Sequence, residues 1–398
     1  MNLFTPVVPP ERFHPNFAKC LEKRNPYDEA VLSKWAEGFI DRDGKFVEEF
    51  QTTFNSCFWE LYLHAILKEA GCKIDFKHNA PDFVVTDPVP FIVEATVALN
   101  AKDSLPEWTP LDLKLRPNNL NEFNRVAMIR LLNSISEKSK KYEKSYRHLS
   151  HVQGKPFVLA LTPFDQPFFY LEVQRAIEAV LYDYYVDEQE LLDDPSKFGS
   201  VKAKKLGVVK KNEKTDLPLG IFNDDKYGFI SAVLFNSSAT WGKVRALSED
   251  PYPFIYFNAF RSDPTTGDSF CFNGKKADYD ETLFDGLKVY HNPNATFPLD
   301  WRVFQEPGAF QAVCINAETH EFNFWMDRPP LAARNLITLN IPDKVDIEDL
   351  VQESNQQPKA TWRQIVPNLE MLAKFMAGEE EEEDSVTSLA KPALENPT

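Results

Sequence analysis

Between Phe46 and Ala70 the chain carries no glycine or proline, and Phe50, Phe54, Cys57, Phe58, Leu61, Ala65 and Ile66 recur at steps of three and four. That spacing predicts one long helix with a broad apolar face, stopped by Gly71. Cys72 to Lys77 alternates apolar and charged residues, the pattern of a strand with one wet face. Pro81 to Val85 predicts a second strand. Phe91 to Ala98 predicts a third, apolar enough to be central. A second long helix is predicted over Asn121 to Tyr146, and Lys155 to Thr162 supplies a buried strand after it.

Outside this run the pattern is weaker. Pro6, Pro9, Pro10, Pro15 and Pro26 mark residues 1 to about 28 as an extended arm. A helix is expected from about Asp28 to Phe39, with a turn at Asp41 to Gly44. Later come a helix near Phe169 to Tyr185, a polar basic loop over 193–216, a strand at Gly228 to Phe235, a short helix at Thr240 to Leu247 and a strand at Pro253 to Phe260. From Phe284 to Ile341 short β segments dominate, and Phe310–Asn316 with Glu321–Met326 predicts a hairpin. A helix is expected over Thr361 to Met376, then a disordered acidic tail.

Composition narrows the class. The chain is 43% hydrophobic and 13% aromatic, with 32 phenylalanines, which belongs to a folded protein. No stretch of about 18 uncharged apolar residues occurs, and prolines fill the place of a signal peptide's apolar segment, so a soluble, cytoplasmic protein without membrane contact is expected. Five scattered cysteines and seven histidines show no metal-ligand spacing. Two of the histidines, His148 and His151, read as surface residues near a helix end, and His64 as a structural core residue. Net charge is −16, yet Lys138, Lys140, Lys141, Lys144 and Arg147 form one basic cluster, and Lys202, Lys204, Lys205, Lys210, Lys211 and Lys214 another. Either could track phosphates or simply face solvent.

Three acids stand out against this background. Glu60 sits among bulky apolar neighbours in the first long helix, Asp82 follows Pro81 at the start of the second strand, and Glu94 lies within Phe91-Ile-Val-Glu-Ala-Thr96. A charge in so apolar a strand is costly unless it is paired or binds a cation. Carboxylates converging on a hard divalent cation, with a positive side chain beside them, are what phosphodiester hydrolysis needs. Leu131, Ile135, Lys138 and Tyr142, spaced four, three and four, put Lys138 on the apolar face of the second helix. Its stem could pack inward and its ammonium reach the acids, with Lys140 and Lys141 as solvated neighbours.

Pro81-Asp82, the intervening hairpin and Glu94-Ala95-Thr96 resemble the PD-(D/E)XK signature of the nuclease superfamily of that name. The preceding helix carries Glu60 where that superfamily has its additional acid. The resemblance implies an α/β fold with a restriction-endonuclease-like core, in the order helix, three strands, helix, strand: a mixed central sheet flanked by helices. The short β segments and helix later in the chain predict an additional C-terminal α+β region. Thr96 departs from it, standing where the pattern has lysine. The superfamily includes members that present this lysine from the following helix, which makes Lys138 its displaced counterpart.

The expected organisation is an arm and helix over 1–45, a nuclease-like domain with insertions over 46–262, a β-containing region over 263–377 and an acidic tail over 378–398. Glu60, Asp82 and Glu94, with the Ala95 carbonyl, are expected to hold Mg²⁺ or Mn²⁺, and Lys138 to supply positive charge. The expected partner is nucleic acid, DNA first, acted on by a homodimer or a larger complex. The rival expectation is a catalytically inactive binding or scaffold protein on the same fold. An active site requires the three acids to converge in a cleft, whereas a decayed one would pair them with lysine or arginine or spread them apart.

Overall fold

The computed structural model of the chain describes residues 1–109, 117–194, 202–305, 308–339 and 359–365. The helices are α1 (Pro15–Glu22), α2 (Pro26–Trp35), α3 (Phe46–Thr52), α4 (Phe54–Glu69), α5 (Leu120–Lys141), α6 (Arg175–Tyr182), α7 (Glu188–Asp193) and α8 (Trp241–Leu247). The strands are β1 (Lys73–Ile74), β2 (Phe83–Asp87), β3 (Phe91–Leu99), β4 (Phe157–Phe164), β5 (Val208–Asn212), β6 (Thr215–Pro218), β7 (Ile230–Phe235), β8 (Ile255–Ser262), β9 (Ser269–Lys275), β10 (Lys288–His291), β11 (Phe310–Asn316), β12 (Glu321–Trp325), β13 (Leu331–Thr338) and β14 (Arg363–Ile365).

Eight strands form one mixed sheet in the order β1-β2-β3-β4-β7-β10-β11-β12. Its centre, β3, β4 and β7, is parallel, and α5 makes the crossover from β3 to β4. Both faces are covered, so the central strands are apolar on both sides. Val93, Ala95, Val158, Ala160 and Leu234 pack towards α3 and α4. Ile92, Leu159, Leu161 and Val233 pack towards α5 and α6, where Leu131 and Ile135 meet them. The Trp59 indole N–H donates to the Ala160 carbonyl at 3.0 Å and fixes α4 on β4. The protein is thus α/β, with a large mixed sheet flanked by helices.

Several elements differ from expectation for local reasons. The long first helix is broken into α3 and α4 at Thr53, whose φ of −130° and ψ of 46° leave the helical region. Thr52 and Thr53 both turn their hydroxyls back onto carbonyls four residues earlier, at 3.0 and 2.9 Å, and so compete with the helical ladder. The strand expected at Cys72–Lys77 shrinks to β1. The helix near Phe169–Tyr185 becomes a 3₁₀ turn at Phe169–Glu172 and α6, separated by Val173 at a positive φ of 51°. The β5–β6 hairpin occupies the end of the expected basic loop, of which 195–201 lie outside the described residues. Where a helix from Thr361 was expected, Arg363–Ile365 pairs with β9 as a strand. The remainder of that helix and the acidic tail lie outside the described residues.

The β11–β12 pair is the expected hairpin, and it completes the main sheet. A separate four-stranded sheet, β13-β8-β9-β14, stands beside it. The boundary expected at 262 therefore does not follow a sheet boundary, because β8 belongs to the second sheet and β10 to β12 to the first. Among the described residues, no helix is long and apolar enough to cross a membrane.

Buried charge marks the junction between the sheets. Lys243 of α8 and Arg334 of β13 both contact the Glu281 carboxylate, and all three side chains are almost wholly shielded from solvent. Arg261 of β8 grips Asp285 with two hydrogen bonds of 2.7 and 2.9 Å. Burial alone would raise the Glu281 carboxyl, but Arg334 and Lys243 outweigh it and hold it below the usual range. Removing one member of such a set leaves a desolvated charge without its counterpart. Glu281→Gln is expected to lower unfolding stability by about 3 kcal/mol, read from urea denaturation.

Candidate active site

The β2–β3 register pairs Phe83 with Val93, so Asp82, one residue before β2, stands opposite Glu94. Period-two alternation puts both carboxylates on the face covered by α5. Like charges directly opposed across a strand pair repel, and this arrangement persists only with compensation. Asp82 finds part of it in the backbone, its Oδ2 accepting the Ala95 N–H at 2.7 Å.

Glu94 is fully buried. Its Oε1 accepts from the Lys138 ammonium at 2.7 Å, the Lys141 ammonium at 3.0 Å and the Tyr146 hydroxyl at 3.2 Å. Its Oε2 is equally buried and accepts no hydrogen bond from the described residues. One carboxylate oxygen is therefore saturated and the other bare, although an unsatisfied buried acceptor ordinarily costs about 1–3 kcal/mol.

Glu60 reaches the site from the other face, on α4. Burial, then the neighbouring Asp82 charge, pushes its carboxyl up to about 8, while Arg42 and Lys138 pull against that rise. Burial, then Glu94, pushes Asp82 up to about 6, opposed by Lys138, the Ala95 N–H and Lys141. Glu60, Asp82, Glu94 and Lys138 thus form one electrostatic chain. Their convergence is incomplete: among the described residues, no three side chains of His, Cys, Asp and Glu are grouped so as to hold a metal ion.

The turn leading into Asp82 is braced from two sides. Arg42 donates to the His78 carbonyl at 2.5 Å and more weakly to that of Pro81 at 3.4 Å. His151 Nε2 lies 2.8 Å from the Ala80 carbonyl, and its ring stacks on His78 with centroids 3.7 Å apart. His151 is thus a bracing residue and not merely a surface one. His64 is a core histidine, its Nδ1 2.7 Å from the Trp35 carbonyl. Thr96 brings no charge, and Lys140 is exposed.

Lys138 stands where its spacing placed it, against Glu94. Lys141 is half exposed, in keeping with the solvated lysine expected, yet it follows Lys138 by three positions on the same helix and meets the same oxygen. Tyr146 and Arg42 were not anticipated. A π-helical turn over Tyr142–Tyr146 delivers the first, and the loop before α3 delivers the second.

The raised carboxyls set a pH dependence of stability. Between the ordinary carboxylate range and the raised values, these two groups in the folded state retain protons that the unfolded chain releases, so their contribution to stability is greatest below that range and falls as pH rises towards about 8. In the absence of divalent cations, Glu60→Gln should be close to neutral near about pH 4.5 and stabilising by about 1–3 kcal/mol at about pH 9. Chemical denaturation of the two proteins across that range checks this.

Compared with protein-family models, with curated proteins and with solved structures, the chain matches none.

Proposed function

We propose that this chain is a metal-dependent, nuclease-like hydrolase of phosphodiester bonds, with DNA as the first substrate to test, built on a PD-(D/E)XK, restriction-endonuclease-like core. The observation that carries the reading is the Asp82–Glu94 pair: two carboxylates opposed on one sheet face, one buried oxygen of Glu94 left bare beside them. The element order α4, β1, β2, β3, α5, β4, with Glu60, Asp82, Glu94 and Lys138 at their places along it, supports the same reading.

A hard divalent cation fits this donor set, because it would satisfy the bare oxygen and offset the repulsion that raises Asp82 and Glu60. Asp82 and Glu94 would hold Mg²⁺ or Mn²⁺, with Glu60 behind Asp82 and the Ala95 carbonyl as a further oxygen donor. Bound there, the ion supplies Lewis-acid polarisation of the phosphate and an acidified water. The protein's own residues do the rest. Lys138 neutralises Glu94 and offers a donor to the phosphate as negative charge builds on its oxygens. Arg42 and the stacked His78–His151 pair hold the Asp82 turn so that its carboxylate keeps its aim.

One observation favours a second reading, a catalytically inactive binding or scaffold protein. Glu94 already holds two lysines, which is how a decayed site would neutralise a buried acid without a cation.

Cleavage of supercoiled, linear and single-stranded DNA and of RNA with Mg²⁺ or Mn²⁺ separates the two. Asp82→Ala and Glu94→Ala should each reduce a genuine activity by about 100-fold or more while the chain stays folded. Mn²⁺ should also raise the melting temperature more at about pH 8.5 than at about pH 6, because it must displace protons from Glu60 and Asp82. No cleavage and no cation-dependent shift at either pH would leave the scaffold reading.

A further inference from the structure

The helix that carries Lys138 does not end as an α-helix. It passes into the π turn Tyr142–Tyr146, whose widened ladder closes with Arg147 N–H donating to the Tyr142 carbonyl, five residues back, at 3.0 Å. In an α-helix the fifth residue on is rotated about 140° around the axis, so a tyrosine at 146 would face away from Lys141. Opening the turn brings it back. The Tyr146 ring comes to lie under the Lys141 ammonium, 5.0 Å from ring centre to nitrogen, while its hydroxyl donates to Glu94. Burial, then the charges of Glu94 and Asp82, raises the phenol well above its usual range and keeps it a donor.

The two lysines differ in what they have left to give. Lys138 is 23% exposed along its side chain and lies closest to Glu94, whereas Lys141 is 49% exposed. An ammonium has three donors, and Lys141 uses one of them on Glu94, with no other hydrogen bond to the described residues. It therefore combines an anchor on Glu94 with a half-exposed side chain and two donors not engaged by the described residues. The aromatic face beneath it limits where the ammonium can go.

Resting on the proposed nuclease reading, we infer that Lys141 is a phosphate-binding residue of the site, taking a non-bridging oxygen of a phosphodiester, and that Tyr146 is the positioning residue that holds it there. Lys138, the nearer of the two to Glu94, serves chiefly to neutralise it and is the lesser phosphate donor, and Lys141 is the main contact to the substrate. A π turn is an uncommon way to end a helix, and here it is what unites the ring, the ammonium and the acid.

The test is binding, which reads the subsite without requiring turnover. A fluorescein-labelled DNA duplex of about a dozen base pairs is titrated with the full chain in EDTA and again with Ca²⁺, across a series of salt concentrations. Lys141→Met should weaken binding about tenfold and reduce the slope of log K against log salt by about one. Tyr146→Leu should weaken it to a similar extent. Tyr146→Phe, which keeps the ring under the ammonium, should restore affinity to within about threefold of the parent. Because Lys141 is half in solvent, its variant decides the matter even if Tyr146→Leu fails to fold by circular dichroism. Inorganic phosphate that displaces the duplex from the parent extends the subsite to free phosphate. Failure to displace it confines the subsite to the nucleic-acid backbone, and either result upholds it. Loss of binding in Lys141→Met with no cleavage by any preparation upholds the subsite while removing the hydrolytic reading. Unchanged affinity and slope in Lys141→Met, or no binding by the parent in either buffer, overturns the proposal.

Discussion

A carboxylate locked into the middle of a buried strand cannot turn away from its neighbours, and Glu94 sets the terms for everything around it. Its position in β3 is dictated by pairing on both sides, antiparallel to β2 and parallel to β4. The charge must then be met from above the sheet. Among the described residues α5 meets it, committing two lysines and, through its continuation, a tyrosine to a single oxygen atom. The other oxygen is buried without a hydrogen-bond partner among the described residues, and the register puts Asp82 opposite Glu94 on the adjacent strand. Packing and chemistry coincide here: the apolar stripe that seats α5 on the sheet also fixes where its ammonium groups end up.

The neighbouring elements adjust to that seat. The break at Thr53 frees α4 to set its own direction across β3 and β4, and the indole of Trp59 pins it. Glu60, the next residue, thereby approaches Asp82 from the opposite side of the sheet, in surroundings too dry to ionise it easily. Three acids with three distinct environments result: Glu94 contacted by two lysines, Asp82 held by a backbone N–H, and Glu60 raised by burial and by the neighbouring Asp82 charge.

Much of this could be read along the chain because it is local. Glu60, Asp82 and Glu94 stand out as charges inside apolar runs, and Lys138 follows from helical spacing. Lys141 was legible by the same rule, three positions on, but lacks the apolar companions that draw attention to a face. Tyr146 was not legible, since nothing in Tyr-Glu-Lys-Ser-Tyr announces a change of helical pitch. Arg42 comes from a loop, where no periodicity operates. The hairpin of β11 and β12 was visible because its partners are adjacent. The second sheet was not, because β8 pairs with β13 across about seventy residues of chain and such pairings leave no periodic trace.

The way the main sheet is threaded has a practical consequence for anyone dividing the molecule. Strand β7 lies in the middle of the sheet, but its partner on one side is β10, which follows it only after the chain has left to build two strands of the second sheet. A fragment ending near residue 262 would contain every acid and lysine of the candidate site, yet it would present β7, buried along its whole length and apolar but for Ser231, as a raw edge with unpaired backbone. Such a fragment would self-associate through that edge. Recombinant work on the site is therefore tied to the longer chain, however remote β10 to β12 stand from the chemistry.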